Sequence, residues 1–167
     1  NTAQALAAFL RTLNSGESSW DRYTAGDRTA VSADAVAGYE LFIGKAGCAG
    51  CHKPPLFSDA QFHNVGLEAG KANPDPGRFA VTRDVKDLSA FKTPSLRSVA
   101  ISGPYFHDGS VASLDAAVRY MASGGKADPN KSGLLVDRKL ADREIAQLLA
   151  FLDTLTSHER FDPPRLP

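Results

Sequence analysis

Two thiols separated by two residues, with an imidazole directly after the second, are the groups in this sequence best suited to hold a reactive centre. They are Cys48, Cys51 and His52, in the run KAGCAGCHKPP. The spacing C-x-x-C-H is the attachment signature of a c-type haem. Two thiols one helical turn apart can each add to a vinyl group on one haem edge, and the next imidazole is then placed to ligate the iron. Small residues at Ala49 and Gly50 let the macrocycle lie against the backbone. Other chemistries fit less well. A structural zinc site wants four N or S ligands, and with two cysteines in the chain it would have to recruit His52, His63 or His107. A thioredoxin-like dithiol should follow a strand, whereas the pattern before Cys48 is helical. A disulfide across so short a loop would stabilise little.

Haem iron has two axial positions. With His52 in one, the occupant of the other decides whether the iron reacts or relays electrons. Met121 is the single methionine, and the remaining histidines are His63, His107 and His158. His158 lies in the charged run SHERFD and reads as solvated. His63, in FHNVG, and His107, in PYFHDG, sit in loops that could approach the haem. Met121 also fits the apolar stripe of an ordinary core helix. Residue chemistry therefore leaves Met121 and a loop histidine both open.

These groups must be positioned by a chain of 167 residues, the length of one domain. Its 43% hydrophobic and 23% charged content is that of a globular protein. Nineteen basic residues balance nineteen acidic ones, which argues against a nucleic-acid binder, and no apolar run is long enough to span a membrane. Helical periodicity brackets an irregular middle. Leu6, Phe9, Leu10 and Leu13 predict an amphipathic helix over 2–13. That start lacks the features of an export signal, so a processed or cut chain is expected. A loop is expected over 14–31. A second helix begins near Ser32, with Val36, Tyr39, Phe42 and Ile43 on one face. Ser113 reads as an N-cap, opening a third helix with Leu114, Ala117, Val118 and Met121 on its apolar side. A fourth starts near Asp142, with Ile145, Leu148, Leu149, Leu152 and Leu155. Residues 53–109 are rich in Pro and Gly without periodicity, and so long an irregular stretch is expected to wrap a large group.

The order of motifs is specific. LFIGKAGCAGCHKPPLFSDAQFHNVGL, then DPGRFAVT, then FKTPSLRSVAISGPYFHDGSVASLDAAVRYMASGG closely resembles the C-terminal haem domain of bacterial dihaem cytochrome c peroxidases and the related MauG-type enzymes, over about residues 1–156. The resemblance implies a mainly α, class I cytochrome c-like fold with long irregular loops around one covalently bound haem c. It implies thioether links at Cys48 and Cys51 and His52 as proximal ligand. The distal ligand, a methionine in the peroxidases and a tyrosine in MauG-type proteins, stands just before the small-residue turn of YMASGG. Met121 matches the peroxidase pattern, with Tyr120 beside it. Arg97, in PSLR, is then a partner for a haem propionate, since its planar fork suits a buried carboxylate. His107 becomes a haem-side loop residue, contacting a propionate or packing at a domain interface. The family's interdomain calcium, held partly by backbone carbonyls, would draw on Ser102 and Pro104 in ISGPY.

Complete members carry two haem motifs and this chain has one. Residues 1–28 thus resemble the helix and crossing that lead out of a preceding half, and 29–167 the haem domain itself. The implied partners are an N-terminal haem domain or separate haem-bearing chain and a small redox-protein donor, and a homodimer is compatible with the resemblance. The implied function is electron relay to a peroxidatic haem that reduces hydrogen peroxide, in a periplasmic or otherwise exported protein. The alternatives are a stand-alone monohaem carrier, half of a MauG-like enzyme that oxidises a protein side chain, and a haem-free zinc domain.

Overall fold

The computed structural model describes residues 1–13 and 15–157. Six α-helices occur in it: α1 (Thr2–Leu10), α2 (Ser19–Thr24), α3 (Ala33–Ile43), α4 (Phe79–Thr82), α5 (Leu114–Ala122) and α6 (Asp142–Asp153). Two short strands, β1 (Phe62–His63) and β2 (Phe91–Lys92), pair antiparallel, with Phe62 opposite Lys92 and His63 opposite Phe91. The mainly α architecture is the expected one.

The frame is the crossing of α3 and α6. The Ser32 hydroxyl accepts the Ala35 N–H at 3.2 Å and starts α3. The Glu144 carboxylate accepts the Ala141 N–H at 2.8 Å and starts α6. At the crossing the two backbones touch: a Cβ added to Gly38 would lie 2.0 Å from the Gln147 carbonyl oxygen. Around that point Phe42, Phe57, Trp20 and Tyr39 surround Phe151, which is fully buried. Its ring centroid lies 4.8 Å from that of Trp20 and 5.1 Å from that of Phe42. Offset and edge-on rings at such distances add to the burial of their area.

Several expectations change. Residues 14–31 contain α2, started by a capping box in which the Ser18 and Asp21 side chains accept each other's backbone N–H groups. Through Trp20, 5% exposed, this helix belongs to the core. Ile43 faces solvent at 51% exposure, because the close approach at Gly38 turns the Ala35–Gly38–Phe42 stripe of α3 inward. On α6, Phe151 rather than Leu149 occupies the centre. Helix α1 ends at Leu10, short of Leu13, and buries none of its residues.

Between α3 and α5 the chain sends Phe57 and Val99 into the core and is otherwise held by polar links. The Ser58 hydroxyl donates to the Thr93 carbonyl at 2.7 Å and the Ser95 hydroxyl to the Leu56 carbonyl at 2.6 Å. The buried Asn64 amide donates to the Leu88 carbonyl and to Asp128, and its oxygen accepts the Gly66 N–H. One buried side chain thus ties three loops together.

Candidate haem-attachment site

The attachment motif leaves the end of α3 through Gly47, which has φ +68°, a left-handed conformation costly for residues with a Cβ. A 3-10 turn over Cys48–Gly50 follows. The Cys48 carbonyl accepts both the Cys51 N–H, at 3.2 Å, and the His52 N–H, at 2.9 Å, so the five-residue motif is wound as one compact turn. Cys48 and Ala49 pack on the aromatic core, which anchors one end of the motif to the frame. Both thiols are free. Burial pushes the Cys48 thiol up to about 11, with Arg138 pulling the other way, and burial also raises Cys51. A redox dithiol needs at least one cysteine with a lowered pKa, so this pair does not suit that chemistry.

The His52 imidazole is oriented by the backbone. Its Nδ1 lies 2.9 Å from the Phe57 carbonyl oxygen, so Nδ1 carries the proton and Nε2 is left with the lone pair. Burial lowers the His52 pKa, while the Phe57 and Pro94 carbonyls oppose that shift. Neutral imidazole with a fixed tautomer is the form that binds a metal. Two thiols on one turn, small residues between them and a pre-oriented imidazole together fit a covalently held haem.

Met121 lies in the last turn of α5. In the same apolar stripe Ala117 is buried, Leu114 and Val118 pack against the aromatic core, and Met121 is half-buried. Tyr120 is engaged elsewhere: its hydroxyl donates to the Val65 carbonyl at 3.0 Å and accepts the Lys126 N–H at 3.4 Å, and its ring meets Phe106 edge-on. The end of α5 is joined to the cysteine turn by residues 134–138. The Arg138 N–H donates to the Ala122 carbonyl at 2.9 Å, while the Arg138 guanidinium rests on Gly47, where an added Cβ would lie 2.5 Å from Nη2. Leu134 reaches toward Gly50, 4.0 Å from where its Cβ would be.

The remaining expected site residues are placed as follows. Arg97 pairs with Asp21 through Nη1 at 2.5 Å and donates to the Pro55 carbonyl from Nε at 3.1 Å and Nη2 at 2.9 Å. That arrangement, with Ser18 adding hydrogen bonds, holds the Asp21 carboxyl down at about 2 against the effect of burial. Arg97 therefore clamps α2 to the loop after the cysteine motif. His107 stacks on Phe91 with ring centroids 3.6 Å apart, and its Nε2 lies 3.1 Å from buried Glu68. Ser102 and Pro104 lie on an exposed turn, where the Ser102 hydroxyl donates to the Val99 carbonyl. Among the described residues, two acid, histidine or cysteine groups are tight enough to share an ion, neither including Ser102 or Pro104, and the second is Glu68, His107 and Asp108. The first is Cys51, Asp59 and His63. There the His63 ring is 2.9 Å from the Asp59 carboxylate, which ties His63 to a carboxylate beside the cysteine motif. His158 lies outside the described residues.

Sequence reasoning missed Asp59 and Arg138 as neighbours of the motif. Nothing in the spacing of VDRKL marks Arg138. Asp59 is closer to hand, because Asp59 and His63 are separated by four positions within the loop after the motif.

A mainly helical fold carrying a C-x-x-C-H turn defines a c-type cytochrome domain, and the Cytochrome c family profile matches residues 35–156. The chain belongs to the cytochrome c family, whose members hold haem c covalently. Within it, the methylamine utilization protein MauG of Methylorubrum extorquens is 44% identical over 98% of this chain and 46% of its own length. The cytochrome-c peroxidase IdrP1 of Denitromonas iodatirespirans is 38% identical over 98% of this chain and 52% of its own. The chain spans about half the length of these curated relatives. A solved MauG-like protein associated with microbial copper homeostasis superposes with a TM-score of 0.84 and 33% identity, covering 92% of this chain and 56% of that one. The diheme peroxidase BthA of Burkholderia thailandensis shares the fold at TM-score 0.68 and 20% identity. The chain is thus a relative of the MauG proteins and cytochrome-c peroxidases. No helix among the described residues is long and apolar enough to cross a membrane.

Proposed function

We propose that this domain is an electron relay. In this reading Cys48 and Cys51 carry the haem by thioether bonds, His52 and Met121 ligate its iron, and electrons pass on to a peroxidatic haem in the other half of a dihaem cytochrome c peroxidase. The observation that carries the ligand assignment is at the end of α5: the Tyr120 hydroxyl is held by Val65 and Lys126, beside half-buried Met121. This supports Met121 over Tyr120. The haem supplies one-electron exchange at its iron. The chain's part is to fix the His52 tautomer through the Phe57 carbonyl and to anchor the cysteine turn on the aromatic core. It also brings the end of α5 toward that turn through residues 134–138. A methionine–histidine pair raises the potential of such a centre, which suits a relay fed by a small redox-protein donor.

The lengths of the relatives support a second haem-bearing half, in the same chain or a separate one. Residues 1–28 would lead into the haem domain from it, with α2 already part of the haem-domain core. Calcium at Ser102 and Pro104 would need ligands from that half. Arg97 would meet a propionate with the N–H groups that its own partners leave over, and His107 would sit at the haem's flank through its Phe91 stack. Thioether attachment of haem outside the bacterial cytoplasm supports a periplasmic or otherwise exported protein.

Met121→Ala in the haem-loaded protein tests the ligation. The expected result is loss of the six-coordinate low-spin spectrum and a lowered midpoint potential, with Tyr120→Phe changing neither. An unchanged spectrum in Met121→Ala would remove the assignment. A second reading, half of a MauG-like enzyme that oxidises a protein side chain, is favoured by the 44% identity to a MauG protein. It requires the Tyr120 variant to be the one that alters the spectrum.

A further inference from the structure

We propose that Arg138 is the potential-setting cation of this domain: an un-neutralised charge built against the Cys48 edge of the haem. The inference rests on the reading that Cys48, Cys51 and His52 hold that group. Three features place Arg138 there. Its backbone N–H is bonded to the Ala122 carbonyl, next to Met121. Its Nη2 donates to the Leu134 carbonyl at 3.0 Å, which fixes the direction of the side chain. Its guanidinium then covers Gly47, the residue before Cys48, so closely that a Cβ there would lie 2.7 Å from Cζ and 3.2 Å from Nε. Gly47 thus does two things: it takes up the left-handed turn and leaves the space in which the cation lies.

Arg22, Arg28, Arg83 and Arg143 also form no ion pair among the described residues; Arg138 differs from them by lying on the cysteine turn, and from the paired arginines by having no counter-charge. Arg97 is paired with Asp21, Arg78 with Asp87, and Arg119 with Asp115 and Asp142. Among the described residues no carboxylate forms an ion pair with Arg138, although its sequence neighbour Asp137 is at hand and pairs with Lys139 instead. The nearby Lys45 and Glu144 neutralise each other. Arg138 is half-buried, so its field is screened less than that of a surface charge.

The consequence is electrostatic. One electron from the donor converts ferric to ferrous iron and lowers the charge of the centre by one, with no proton needed. A fixed cation nearby disfavours the ferric form and raises the potential. Sequence reading pointed to Arg97 as the haem-edge arginine. The structure gives Arg97 a carboxylate and a carbonyl, and leaves the unbalanced charge on Arg138.

The test is the midpoint potential of the haem-loaded chain by spectroelectrochemistry. The wild-type haemochrome spectrum is recorded first, since a chain without haem sinks the proposed function and not this inference. Arg138→Gln should lower the potential, with a roughly tenfold shift of the one-electron equilibrium corresponding to 59 mV, and should leave the axial-ligand spectrum unchanged. Arg138→Lys, which keeps the charge, should restore most of that shift. Arg138→Met serves as the neutral variant if Gln does not load haem. The proposal is overturned by an unchanged potential in the neutral variant, or by equal changes in the neutral variant and Lys. It is also overturned if neither neutral variant loads haem, which would make Arg138 a structural clamp.

Discussion

The α3–α6 frame and the loop belt of residues 53–112 hold the same motif by different forces. The frame is apolar: Phe42, Leu148, Phe151 and Leu155 are all at or below 2% exposure, and its rings meet edge-on or tilted around Phe151. The belt is polar. It is held by Arg97 to Asp21, His63 to Asp59, Lys71 to Glu68 and Asp108, and Arg78 to Asp87, together with the Asn64 amide. Burial of apolar area depends little on pH or salt, whereas ion pairs depend on both. The cysteine turn is anchored on the frame side through Cys48 and Ala49. The His52 imidazole is oriented from the belt side, through the Phe57 and Pro94 carbonyls. Folding of the domain and tuning of its ligand are thereby assigned to different regions.

That division can be broken by measurement. The largest effect is expected from Phe151→Ala, which removes the ring at the centre of the frame and should cost about 3–5 kcal/mol in urea unfolding. Gly38→Ala comes next. Its new methyl meets the Gln147 backbone, which cannot move aside as a side chain could, so a loss of about 1–3 kcal/mol is expected. The smallest effect should come from the belt. Asp21 is held at about 2 in the folded protein against an ordinary 3.8. Its native pKa is depressed, so its contribution is present above about pH 4 and is lost as pH falls toward 2. Because the pair is partly exposed, that loss is about 1 kcal/mol after solvent screening. Asp59 shifts the same way: burial opposes it, but hydrogen bonds from His63, Gln61 and Thr93 hold it at about 2. Acid titration from pH 5 to 2 should therefore loosen hydrogen-exchange protection in residues 53–112 before it reaches α3 and α6. A frame that loosened first, or a Phe151→Ala variant no less stable than Asp21→Asn, would overturn the distinction.

Much of the helical frame could be read from apolar spacing, since α3, α5 and α6 begin where Ser32, Ser113 and Asp142 indicated. The helix α2 was harder to see because six residues carry no sustained period, although Ser18 and Asp21 hold the capping signal. On the inward face of α3, Tyr39 and Phe42 were read correctly and Ile43 was not. Hydrophobicity favoured Ile43, but a close helix crossing needs Gly38, and the partner backbone decides that. For the site, the cysteine motif was complete in sequence because it is local: its thiols and imidazole share one turn. Arg97 shows the opposite case, since its partner Asp21 lies far away in the chain and no spacing rule pairs them.

The sequence by itself determined the C-x-x-C-H motif, the mainly helical class and Met121 as the single methionine. These depend on residue type and on neighbours within one helical turn. Tertiary structure alone decided which nitrogen of His52 is left for a metal, that Tyr120 is occupied by Val65 and Lys126, and that Arg138 lies on Gly47 with no ion-pair partner among the described residues. Each of those depends on where a distant carbonyl, carboxylate or guanidinium comes to rest. Only the packing of α3 on α6, and of the loops around the cysteine turn, sets those positions.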